Sequence, residues 1–167
     1  VTRIEKLNLE IARLAALAVA IACLLQHAWN LQPCTMCIVQ RYAFIFIAPL
    51  ACCQVKARGW VATALRVATS LFALVGIAAS LKIQWAIWVP SSMCGRDKFA
   101  AFLNDLPWAK AVPYLFKATG VCGDYVPPVF YLPIHIWSLL VFSLMLLVTL
   151  YAGRLMKKGA PTAVRPA

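Results

Sequence analysis

Four unbroken apolar stretches, at 11–29, 39–55, 61–81 and 134–152, decide what this chain can fold into. Each is close to the roughly 20 residues with which a helix rising 1.5 Å per residue crosses about 30 Å of hydrocarbon. A helix on the surface of a soluble domain carries its apolar residues as a stripe, whereas these stretches are apolar all round. With 63% of 167 residues hydrophobic and 13% charged, the chain holds more apolar side chain than a soluble core of its size consumes. The expected fold is an all-α membrane protein, a four-helix transmembrane bundle forming a single domain over 1–167. The first stretch runs on past Ala20-Ile21-Ala22-Cys23 and three more follow it, so it reads as a span and not as a cleaved signal.

The net charge of +11 is distributed as membrane topology requires and not as a nucleic-acid surface. Arg3, Lys6 and Arg13 flank the first span, Lys56, Arg58 and Arg66 surround the second turn, and Arg154, Lys157, Lys158 and Arg165 follow the fourth span. These ten bases mark the cytoplasmic side, which puts both termini there. The inward turn Lys56-Ala57-Arg58-Gly59-Trp60 is tight, with Gly59 as its turn residue. The outward loops are then 30–38 and 82–133, and chemistry is expected on them. Phe99, Phe102, Leu103, Trp108, Tyr114, Leu115 and Phe116 punctuate the longer loop, as in a segment lying on the bilayer. Within it, 97–106 is predicted to form a short amphipathic helix with Phe99, Phe102, Leu103 and Leu106 on the lipid side, stopped by Pro107.

This topology sorts seven cysteines into two groups. Cys34, Cys37, Cys94 and Cys122 fall outside, in a compartment that permits disulfides, and an even number there suggests two pairs. Cys23, Cys52 and Cys53 fall in spans and read as small apolar packing residues. Cys34-Thr35-Met36-Cys37 opens the second span just after Pro33. A helix N-terminus stabilises thiolate, the species that attacks disulfides, and Arg41 stands one turn beyond Cys37. Competing readings are half of a zinc site for the CxxC, a snorkelling anchor for Arg41 and a structural staple for Cys94 and Cys122. The 28 residues between Cys94 and Cys122 do not make the second close pair that a four-cysteine zinc site uses, so no metal is expected.

Gln26-His27, Leu31-Gln32-Pro33-Cys34-Thr35-Met36-Cys37 and Gln40-Arg41 together resemble the signature of the DsbB family, the quinone reductases of bacterial disulfide formation. Val112-Pro113 to Phe116, Ala118, Gly120 and Cys122 resemble the stretch leading to that family's last cysteine, and Trp137 its fourth-span tryptophan. The resemblance covers nearly the whole chain. It implies a multi-pass protein of the bacterial inner membrane that reoxidises a periplasmic DsbA-like dithiol protein and passes two electrons to a quinone, ubiquinone or menaquinone. It further implies that Cys34 and Cys37 exchange electrons with quinone, that Arg41 lies beside it, and that Cys94 and Cys122 form the second pair, with Cys94 meeting DsbA. His27 lies in the matching motif and is a candidate quinone contact. Some members carry a histidine near the outward end of the third span, and 82–133 contains none. Two alternatives stand beside this reading. A vitamin K epoxide reductase-like enzyme also joins a membrane CxxC to quinones, but its CxxC belongs to a late span. A non-enzymatic membrane protein held by disulfides is the other.

Overall fold

The computed structural model describes residues 2–89, 98–122 and 127–159. Among the described residues seven helices follow one another: α1 Arg3–Ala28, α2 Thr35–Lys56, α3 Gly59–Trp88, α4 Lys98–Asp105, α5 Pro107–Ala111, α6 Pro113–Phe116 and α7 Ile134–Gly159. Helices α1, α2, α3 and α7 are long and apolar enough to cross a membrane, the number expected from sequence. They pack as a closed ring, α1 on α2, α2 on α3, α3 on α7 and α7 on α1. Successive spans run antiparallel, so the CxxC, the start of α7 and the 98–122 segment share one end of the bundle.

The helices outrun the apolar stretches because a helix does not stop where hydrophobicity stops. α1 begins at a capping box, the Thr2 hydroxyl accepting from the Glu5 N–H while the Glu5 carboxylate accepts from the Thr2 N–H. α3 continues two turns past the predicted boundary to Trp88, two residues ahead of Pro90. Gly59 has φ +61°, the left-handed conformation expected of the turn residue between α2 and α3.

The interior is built from small residues. Ala12, Ala15, Ala43, Ala51, Ala62, Ala73, Ala79 and Ala152 are buried, while Leu17, Leu24, Leu71, Leu74, Leu144 and Leu147 face outward. Lipid is as apolar as leucine, so membrane helices associate through close packing and internal hydrogen bonds. Gln40 donates to the Ser80 hydroxyl at 2.8 Å and Gln54 to the Thr69 hydroxyl at 2.7 Å, tying α2 to α3 at two levels. Arg66, expected as a marker of the cytoplasmic surface, is instead buried on the inner face of α3.

The amphipathic helix predicted at 97–106 is observed as α4, but its expected lipid face divides. Phe99 and Phe102 are exposed, whereas Leu103 packs inward on Ile38 and Ala118, with Leu106 against the same cluster. Over eight residues, a helix lying across the top of α2 has room to bury one narrow stripe against protein, and Ala100 and Leu103 occupy it.

Candidate active site

Cys34 caps α2. Its backbone is extended, and its Sγ accepts the Cys37 N–H at 3.3 Å, so one of the helix's unpaired N-terminal donors is spent on sulfur. Cys37 itself occupies the first turn of α2. The two Sγ atoms are 2.7 Å apart, a separation from which a small movement makes a bond. The hydrogen bond with Cys37 and then burial push the Cys34 thiol well above its ordinary value. Cys34 is therefore the member that keeps its proton.

A second segment is laid directly on this pair. The N–H groups of Thr119 and Gly120 both donate to the Pro33 carbonyl, at 3.0 and 3.1 Å, and Gly120 pairs with Cys34 as an isolated parallel bridge. The Thr119 hydroxyl adds a bond to the Gln32 carboxamide oxygen. A Cβ on Gly120 would lie 2.3 Å from the Gln32 carbonyl oxygen, so the approach needs glycine. Two residues later, Cys122 is 8% exposed and shares one buried cluster with Cys34, Ile83 and Ala86, against which Met36 and Cys37 pack. Cys122 is disulfide-bonded. Its expected partner, Cys94, lies outside the described residues. Sequence spacing left Cys122 85 positions from Cys37, and the fold brings it to the same cluster.

The 98–118 segment is latched to the first turns of α2. Arg41, 6% exposed, donates to the carbonyls of Leu115 at 3.1 Å and Tyr114 at 3.5 Å, and to the Gln26 carboxamide oxygen. These carbonyls belong to α6, so the guanidinium sits where a helix end presents partial negative charge. Tyr42 stacks on Phe116 with centroids 5.1 Å apart, and Trp108 Nε1 donates to the Tyr42 hydroxyl at 2.8 Å. The Tyr114 hydroxyl reaches back to the Cys23 carbonyl on α1.

Two openings flank this assembly. One, of about 280 Å³, is walled by Met36, Val39, Val75, Ala78, Ala79 and Phe99 and is apolar. The other, of about 260 Å³, is a polar cleft whose lining includes Gln26, His27, Gln32, Tyr114 and Lys117. His27 is exposed on that cleft, which neither Cys37 nor Arg41 lines. Cys52 and Cys53 are exposed at the opposite end of α2, and Cys23 is half-buried. Among the described residues, no three of His, Cys, Asp and Glu converge on one point.

A family model described as "Disulfide bond formation protein DsbB" matches residues 5–152. "Disulfide bond formation protein B" of Herminiimonas arsenicoxydans is 36% identical over 146 residues, covering 86% of this chain and 90% of the relative. The proteins of the same name from Cupriavidus metallidurans and Pseudomonas syringae pv. tomato are 34% and 36% identical, over 81% and 72% of this chain and 83% and 72% of their own lengths. The chain belongs to the DsbB family.

For a DsbB-family protein the early CxxC has its place at the head of the second span, and family membership decides against the vitamin K epoxide reductase-like alternative. The chain is thereby a membrane-spanning protein of disulfide bond formation. Sequence reasoning missed two residues beside the DsbB motif. His135, in the first turn of α7, pairs with Gln84 Oε1 at 2.8 Å, so a histidine does stand at this end of α3, supplied by another helix. Asn104 was passed over because no short-range pattern reveals its partner, 14 residues away.

Proposed function

We propose that this protein reoxidises a periplasmic DsbA-like dithiol protein and passes two electrons through Cys94/Cys122 and then Cys34/Cys37 to a membrane quinone. The observation that carries the reading is the burial of Cys122 in one cluster with Cys34, at the head of a membrane-spanning helix. Thiol–disulfide exchange needs one sulfur to reach another directly, so cysteines 88 positions apart in sequence gain a common chemistry only through this contact.

In this mechanism a partner thiolate attacks Cys94, and Cys122 leaves as thiolate. Cys122 then attacks Cys34, breaking the Cys34–Cys37 bond, and Cys37 departs with the electron pair. Cys34, capping α2 beneath the Gly120 segment, presents its sulfur to that attack. The second partner thiol releases the partner as its disulfide, and Cys94 then closes again on Cys122, freeing Cys34.

The residues present fit a quinone. Cys34 and Cys122 are buried while Cys37 keeps an open side, and its surroundings, Met36, Ile83 and Ala86, are apolar as a lipid-soluble ring requires. A bound quinone supplies a sink for two electrons and two protons. Cys37 would face the ring, and the Arg41 charge one turn deeper would favour negative charge there. His27 is left out of this reading because it opens onto the polar cleft.

The test uses the full chain in liposomes containing quinone. Wild type should reduce quinone when given reduced DsbA-like protein or dithiothreitol. Cys94→Ser should lose the first reaction and keep the second, and Cys37→Ser should lose both. Oxidation of the protein partner by Cys94→Ser at the wild-type rate would refute the relay order.

A further inference from the structure

We propose that Asn104 is a positioning residue for disulfide exchange between the two cysteine pairs, its carboxamide holding the 118–122 segment in register with Pro33 and Cys34. The inference rests on the relay above and adds to it the element that aligns its inner step. Asn104 Nδ2 donates to the Ala118 carbonyl at 2.9 Å, and its Oδ1 accepts the Ala118 N–H at 2.7 Å. One side chain thus satisfies both backbone groups of a buried residue, as a neighbouring strand would. A carboxamide carries its donor and its acceptor on separate atoms of one planar group, as bridging both backbone groups of one residue requires. Aspartate accepts but cannot donate, and alanine does neither.

The clamp is anchored at its own end. Leu103, the preceding residue, packs on Ile38 of α2 in a cluster that also contains Ala118. α2 therefore fixes α4, Asn104 on α4 fixes Ala118, and the next two residues bond the Pro33 carbonyl beside Cys34. Gly120 sets how close the segment comes, and Asn104 sets where along the Gln32–Cys34 stretch it sits. In the exchange, Cys122 attacks Cys34 Sγ, a Cys34–Cys122 bond forms, the Cys34–Cys37 bond breaks and Cys37 leaves as thiolate. That displacement is sensitive to alignment of the sulfurs, and misplacement by about 1 Å costs on the order of a hundredfold in such steps.

Asn104→Ala and Asn104→Asp should be made in the full chain and assayed in quinone-containing liposomes. With saturating reduced DsbA-like protein, turnover of Asn104→Ala should fall about tenfold or more, with KM for that protein within about twofold of wild type. Dithiothreitol reduces Cys34/Cys37 directly, so turnover driven by it should stay within about twofold. Asn104→Asp, which can still accept the Ala118 N–H, should lie between wild type and alanine. A third measurement needs no quinone: in a Cys37→Ser background, Cys34 attacks Cys122 and releases Cys94, and the Cys34–Cys122 disulfide is quantified by peptide mapping. Asn104→Ala should slow its appearance. Equal falls in the protein-driven and dithiothreitol-driven rates would show a general structural role and overturn the proposal, as would an unchanged rate of Cys34–Cys122 formation. A wild type unable to reduce quinone would refute the function alone, because the Cys34–Cys122 measurement still decides on Asn104.

Discussion

At the scale of single residues, the site divides its labour between two sulfurs that the CxxC motif makes look alike. Cys34 is hydrogen-bonded to the Cys37 side chain and buried, which pushes its thiol up, so it stays protonated through neutral pH. Reduced protein exposed to iodoacetamide at pH 7 should be alkylated at Cys37 before Cys34, and raising the pH should narrow the difference as Cys34 begins to ionise. Mass spectrometry of tryptic peptides reads the order, and preferential labelling of Cys34 at pH 7 would contradict it. Arg41 latches α6 to α2, and variants separate that duty from the service to quinone proposed for it. Arg41→Met leaves the Tyr114 and Leu115 carbonyls without their charged donor, a loss of about 1–3 kcal/mol. Faster amide exchange over 115–117 should follow, with Arg41→Lys intermediate because an ammonium lacks the planar fork. If the guanidinium also serves quinone, Arg41→Lys should raise KM for quinone while dithiol exchange with the partner changes little.

Among the elements, α3 and α7 meet at a glycine. Gly76 faces Phe142 so tightly that a Cβ there would come within 2.4 Å of three ring atoms. The ring cannot retreat, since Phe44 stacks on its other side with centroids 4.0 Å apart. Gly76→Ala should therefore cost about 1–3 kcal/mol by overpacking and lower the melting temperature in detergent. Adding Phe142→Leu should recover part of the loss, and a lack of any recovery would mean that the ring is not the obstacle. The helix α4 shows the limit of pattern reading at this scale. Its aromatic residues were legible as interfacial, but that Leu103 turns to protein while Phe99 turns away depends on α2 passing beneath it.

For the whole molecule, the antiparallel ring places the start of α1, the end of α7 and the Lys56–Trp60 turn at one end, with the cysteine assembly at the other. Lysine and arginine cluster at the first of these ends, so fusion tags at either terminus or within 56–60 should report cytoplasm. Tags inserted at Ser91 or Asp124 should report periplasm. A periplasmic C-terminus would reverse the side on which the cysteines react and remove the proposed partner. The ring also explains why the +11 charge says little about binding, since its carriers flank spans instead of forming a surface.

Span number, helical class, the CxxC at a helix start and the tight turn at Gly59 were all determined by local sequence. The bilayer imposes a length of apolar residue and the backbone imposes its own turn chemistry, and both are read over a few neighbouring positions. The inner faces of the spans were not legible, because in lipid small residues face inward and large ones outward, with no amphipathic stripe to mark the difference. Nor did sequence place Cys122 on Cys34, set Arg41 on the α6 carbonyls, or bring His135 to the end of α3. Those contacts join residues from about 50 to nearly 90 positions apart, through side-chain hydrogen bonds, backbone hydrogen bonds to Pro33 and a glycine too close to its neighbour for any side chain. Only the tertiary structure decides them, because each depends on two segments meeting in space and on neither segment alone.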